Sequence, residues 1–77
     1  MSRDWRVWLD DILEGCRRIR TYTAGLDRDL LVANQLVYDA VLRNLEIIGE
    51  AAKRVPVDVR QQMPTIEWAK ISGMRDW

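Results

Sequence analysis

The chain has 77 residues, with twelve basic and twelve acidic side chains, one cysteine and no histidine. This length allows one domain with a small core. One cysteine cannot close an internal disulfide, and without histidine the usual Cys/His zinc sites are also excluded, so association with another subunit is the expected supplement to so small a fold.

A net charge of zero argues against a strong polyanion binder, although a local basic patch stays open. The 48% hydrophobic and 31% charged content is that of a folded globular chain. No apolar run approaches the roughly 18 residues of a membrane span, and the first five residues carry no apolar signal segment. A cytoplasmic location is the expectation, and one unpaired cysteine fits it. The missing histidine removes the commonest general acid or base at neutral pH. Taken literally, the composition speaks against an enzyme.

The periodicity is helical throughout. Trp5, Trp8, Leu9, Ile12, Cys16 and Ile19 recur at three- and four-residue steps and predict a first helix, with Cys16 as a small core residue. Ser2 is the predicted N-cap, with Asp4 in the first turn. Arg6–Asp10 and Glu14–Arg18 stand at ion-pair spacing, and Gly25 is placed to end the helix in a left-handed conformation.

A second, dominant helix is predicted from Asp27 or Arg28 to Val55, stopped by Pro56. On a helical wheel Asp39, Arg43, Glu46, Glu50 and Lys53 share a narrow polar strip. Leu30, Val37, Val41, Leu45, Ile48, Ala52 and Val55 occupy the opposite centre. With their apolar flanks they span roughly 240°, against about 100° for an ordinary surface helix. Such a helix has to be covered on two sides, by the first helix and by a second copy of the chain. Two amides, Asn34 and Asn44, interrupt the arc. Each is either a structural amide that fixes register or a turn or, for Asn44, a group at a functional cleft. Gly49 predicts a close approach of another backbone.

Beyond Pro56 a short helix is expected over Val57–Met63. After Pro64, Thr65 is placed to cap another over Ile66–Ser72, with Trp68 and Ile71 inward and Gly73 at its end. Met74-Arg75-Asp76-Trp77 then begins a further element that four residues cannot complete. Three explanations stand: part of a longer chain, a shortened inactive relative, or a piece cut from a longer protein. The first is preferred, because Trp77 is an implausible natural terminus.

The string Arg43-Asn44-Leu45-Glu46-Ile47-Ile48-Gly49-Glu50-Ala51-Ala52-Lys53-Arg54, with Ile66-Glu67-Trp68-Ala69-Lys70-Ile71-Ser72-Gly73-Met74-Arg75-Asp76, resembles the HepT-like family of the HEPN superfamily. The stretches Leu9–Glu14 and Tyr22–Leu26 are similar to it too, so the resemblance covers nearly the whole chain. It implies an all-α fold, a small bundle of two long antiparallel helices plus short ones, dimerising through the long second helix. It implies one HepT-like domain over residues 1–77 without its C-terminal portion. It also implies a metal-independent endoribonuclease toxin of a prokaryotic toxin–antitoxin pair, whose antitoxin partner is an MntA-type nucleotidyltransferase.

The family motif is an Arg, a polar residue and, a few residues on, a His, commonly with a Tyr two positions later. Arg75 and Asp76 match its start. The His is expected about three positions past Trp77, and neither it nor the Tyr is carried over. The chemistry fits these residue types. Attack of a ribose 2′-hydroxyl on its phosphate needs a base or acid near pH 7 and a fixed cation at the phosphorane oxygens. Asn44, Arg43 and Glu46 are the candidate cleft residues, and no metal or cofactor is implied. The alternative is a non-catalytic dimeric helical module that binds the nucleotidyltransferase or a nucleotide. The blandest option is a helical hairpin without independent function.

Overall fold

A computed structural model describes residues 4–76 of the chain, with the side chains of Arg75 and Asp76, like Trp77, outside the described residues. The described residues form helices α1 (Trp5–Thr23), α2 (Arg28–Ala33), α3 (Gln35–Arg54), α4 (Val57–Gln61) and α5 (Trp68–Ser72), followed by a 3-10 turn over Gly73–Asp76. No strand occurs among them, and no described helix is long and apolar enough to cross a membrane. The all-α class with two long helices is as the sequence implies.

Helix α1 starts at Asp4, whose carboxylate accepts a hydrogen bond from the Arg6 backbone N–H at 2.9 Å. Ser2 lies outside the described residues. Because Asp4 stands just outside the helix, it also takes the Arg6 guanidinium, which donates from Nε at 3.2 Å and from Nη2 at 2.9 Å. Arg6 therefore pairs with Asp4 rather than with the expected Asp10. The Glu14–Arg18 pair forms as expected at 3.1 Å, and Arg17 joins it. The two guanidiniums, Arg17 foremost, hold the Glu14 carboxyl at about 2. Gly25 adopts φ +76° and turns the chain back, the one left-handed residue among those described.

The long second helix is interrupted. Asn34 has an extended backbone (φ −99°, ψ 92°) and ends α2, donating its N–H to the Leu30 and Leu31 carbonyls. Its side-chain oxygen accepts from the Val37 N–H at 3.2 Å and so caps α3. One residue thus satisfies orphan backbone groups of two helices. Periodicity alone runs straight through this break, because a single non-helical residue leaves the apolar spacing almost unchanged. Pro56 acts as predicted: α3 stops at Arg54, and Pro56 becomes the N-cap residue of α4.

The core is small and built around the second half of α3. Ile48, Ala51, Ala52 and Val55 are buried, joined by Val59 of α4. Helices α1 and α5 and the 3-10 turn all pack against α3. The N-terminal part of the predicted apolar arc is less covered: Leu30 is exposed, and Val37, Val41, Leu42 and Leu45 are half-buried.

The two long helices approach closely at Gly15. A Cβ there would lie 2.6 Å from Ile48 Cγ1 and 3.0 Å from its Cδ1. Cys16, the expected core residue, is exposed. Its neighbour Gly15 is the buried position instead, while Trp5, Trp8, Leu9, Ile12 and Ile19 of the predicted stripe are half-buried. Gly49, where the sequence predicts a close approach, is buried as well.

Beyond α4 the chain is pinned by Trp68, whose indole N–H donates to the Met63 carbonyl at 3.2 Å. This tie spans the loop before α5. Glu67 rather than Thr65 occupies the N-cap position, without a side-chain cap bond, so α5 starts two residues later than predicted. Gly73 ends α5 in a right-handed conformation, and the chain continues directly into the 3-10 turn.

Replacing Asn34 by Ala removes the cap of α3 and should cost about 1 kcal/mol. For a domain of this size that is a fall in melting temperature of roughly 4–8 °C, measurable by circular dichroism. An unchanged melting temperature would place the cause of the helix break elsewhere.

Candidate functional site

The predicted site residues fall on helix α3 and on the turn seated against it. Arg75 and Asp76 belong to the Gly73–Asp76 turn, which packs against α3 and α5. Arg43, Asn44 and Glu46 lie in the middle of α3, where it faces α1.

Arg43 and Glu46 are exposed and meet one turn apart, with Nη1 3.4 Å from Oε2. Together with Trp8 and Asp11 of α1 they border a groove of about 360 Å³ along the seam between α1 and α3. A smaller depression of about 180 Å³ adjoins it, formed by Asn44, Gly15, Ile47 and the charged side chains of Asp11, Glu14 and Arg18. The structure therefore brings the three predicted cleft residues to one continuous stretch of the seam.

Asn44 has the most informative surroundings. It is 6% exposed, and its Nδ2 donates to the Ala40 carbonyl at 2.8 Å. Its Oδ1 is buried with no hydrogen-bond partner, a condition shared among the described residues only by Arg60 Nε. The amide is thus half satisfied by its own helix. A buried acceptor without a donor costs about 1–3 kcal/mol, and ordinary core packing gives no return for it.

Charge along the seam is mixed. Glu14 is fixed as an anion between Arg17 and Arg18, and Asp11, Glu46 and Glu50 add carboxylates against Arg43 and Arg18. Among the described residues no group of three or more His, Cys, Asp or Glu side chains is placed to hold a metal ion.

Two contributors were not singled out in the sequence. Trp8 reads there as core, yet it is half-buried and lines the groove, with the Arg54 guanidinium carbon 5.4 Å from its ring centre. Arg54 also donates from Nε and Nη2 to Glu50 Oε1, at 3.1 and 3.0 Å. The available signal was the pairing of aromatic stripe and basic helix end across two helices, which becomes visible only once their antiparallel register is known.

Residues 12–77 match the family model described as ribonuclease HepT-like. The chain belongs to that family. It is 39% identical over 75 residues to the protein named "Putative RNase MJ1216" of Methanocaldococcus jannaschii, covering 97% of this chain and 62% of the relative. Against "Putative RNase MJ0125" of the same organism the identity is also 39% over 75 residues, covering 97% and 65%. Against "Probable ribonuclease HepT" of Thermococcus cleftensis it is 36% over 76 residues, covering 99% and 69%. The chain thus spans somewhat under two thirds of the length of the first two relatives. No solved structure matches it.

Replacing Asn44 by Leu removes the orphaned acceptor along with the Ala40 bond and should leave the melting temperature unchanged or raised. Replacing it by Asp should lower it by burying a carboxylate. Thermal melts of the two variants check this, and an equal loss in both would mean that Oδ1 has a donor in the folded protein.

Proposed function

We propose that this HepT-like chain serves as the toxin of a toxin–antitoxin pair, a metal-independent endoribonuclease acting in the cytoplasm as a homodimer and neutralised by an MntA-type nucleotidyltransferase. The observation that carries the ribonuclease part is the family match over residues 12–77, which extends through the Gly73-Met74-Arg75-Asp76 turn.

In this proposal the ribose 2′-hydroxyl attacks the adjacent phosphorus, the P–O5′ bond breaks, and a 2′,3′-cyclic phosphate is left. Arg75 supplies a permanent cation for the phosphorane oxygens. Asp76 fills the polar position of the motif. Proton transfer is assigned to the histidine that the resemblance expects about three positions past Trp77. The 3-10 turn supports the assignment of Arg75, because a tight turn packed against α3 fixes the backbone at that position.

The homodimer is supported by the incomplete cover of α3. Val37, Val41, Leu42 and Leu45 are half-buried. A second copy laid on this face would complete its burial. The alternative, a non-catalytic module that binds the nucleotidyltransferase or a nucleotide, is favoured by the zero net charge.

The full-length protein should cleave single-stranded RNA in the presence of EDTA, and Arg75→Ala should slow cleavage by about 10²-fold or more. Cyclic phosphate ends, read by mass spectrometry of the products, check the chemistry. Undiminished cleavage by the variant would overturn the role of Arg75. Intact RNA with retained binding of the nucleotidyltransferase would select the non-catalytic module.

A further inference from the structure

A second groove lies beyond the Asn44 seam, where the first turns of α1 meet the last turn of α3. It has a volume of about 630 Å³ and is walled by Trp5 and Trp8 on one side and Lys53 and Arg54 on the other. We infer that this groove is a nucleotide subsite for single-stranded RNA, stacking a base against Trp5 and Trp8 and holding the neighbouring phosphate at Lys53. The inference rests on the ribonuclease proposal for its ligand, but places that ligand at residues outside the Arg75 turn.

Three features of the groove point the same way. Trp5 and Trp8 are one turn apart on the same face of α1, and both are half-buried rather than enclosed. Each ring carries a guanidinium, with Arg6 5.8 Å from the Trp5 centre and Arg54 5.4 Å from that of Trp8. Aromatic rings and planar guanidiniums are the groups on which unpaired bases stack. The volume also falls in the range of small-ligand sites, roughly 300–1,000 Å³.

The charge balance is the third. Two carboxylates border the groove, and each is matched. Asp4 takes the fork of Arg6, whose hydrogen bonds hold its carboxyl below the ordinary range. Glu50 takes both donors of Arg54. Lys53 is exposed and makes no ion pair among the described residues. The carbonyl end of α3 favours cations here, and among the described residues that wall the groove Lys53 is the cation whose charge remains for an incoming phosphate.

The test is binding without cleavage. A fluorescent 2′-O-methyl oligoadenylate, which lacks the attacking hydroxyl, is titrated with the full-length protein and followed by anisotropy and by tryptophan emission. Binding should quench tryptophan emission. Lys53→Glu should weaken binding about tenfold and lower the salt dependence by roughly one phosphate contact. Trp5→Leu, which keeps an apolar group at the helix start, should weaken it by about tenfold or more.

Circular dichroism identifies any variant that fails to fold, and Lys53→Glu alone decides if Trp5→Leu does. Wild-type affinity in a folded Lys53→Glu protein would overturn the subsite. Displacement of the oligomer by AMP at equal nucleotide concentration would overturn the strand assignment in favour of a free nucleotide. Cleavage of RNA without the predicted loss in these variants counts against the subsite only, whereas retained, variant-sensitive binding without any cleavage supports the subsite and counts against the ribonuclease.

Discussion

The distance at which α1 can lie on α3 is set by one missing side chain. At Gly15 the two helices come close enough that any Cβ would press into the buried Ile48. That contact fixes the register of the pair, and the register decides what else meets. Toward one end it brings Trp8 beside Arg54 and the last turn of α3. Next to Gly15 itself it closes Asn44 into the seam with Asp11, Glu14 and Arg18. Both grooves along the seam follow from the crossing.

The core around this contact is made of small residues. Ala51 and Ala52 are almost fully buried, with Val55 beside them. Small side chains on several faces of α3 allow α1, α5 and the Gly73–Asp76 turn to pack on one helix. The arrangement gains close approach and sacrifices buried apolar volume, a severe exchange in a chain of 77 residues. The incompletely covered face at Val37, Val41, Leu42 and Leu45 is the other side of that exchange. The proposed dimer and the compact core are thus two consequences of one choice of residues.

Much of this was legible in the sequence. Helical periodicity, the stop at Pro56, the left-handed Gly25 and the Glu14–Arg18 pair all depend on local spacing and local backbone preference, which a linear chain displays. The motif strings around Asn44 and Arg75 carried the family. What was not legible depends on partners. An apolar stripe locates a helix face only to within about one residue, or 100° of rotation, so Cys16 and Gly15 exchange roles once α3 is in place. Asn34 has the same apolar neighbours whether it continues a helix or breaks one, and its capping of both sides decides the matter. Arg6 had two acids within reach, and the N-cap position of Asp4 selected between them. Of the candidate site, the Arg43–Asn44–Glu46 cluster could be foreseen because it lies on one helix, whereas the Trp5–Trp8–Lys53 groove joins residues some 45 positions apart.

The crossing is tested most directly by a double-mutant cycle at Gly15 and Ile48, with stability measured by denaturant unfolding. In the native background Gly15→Ala should destabilise the fold, because the added methyl overpacks the contact at a cost of about 1–3 kcal/mol, which outweighs the roughly 1 kcal/mol by which Ala is the better helix former. In an Ile48→Ala background the clashing atoms are gone, and the same change should become neutral or stabilising. An equal loss in both backgrounds, or a gain in the native one, would contradict the claim that this contact sets the register of the two helices.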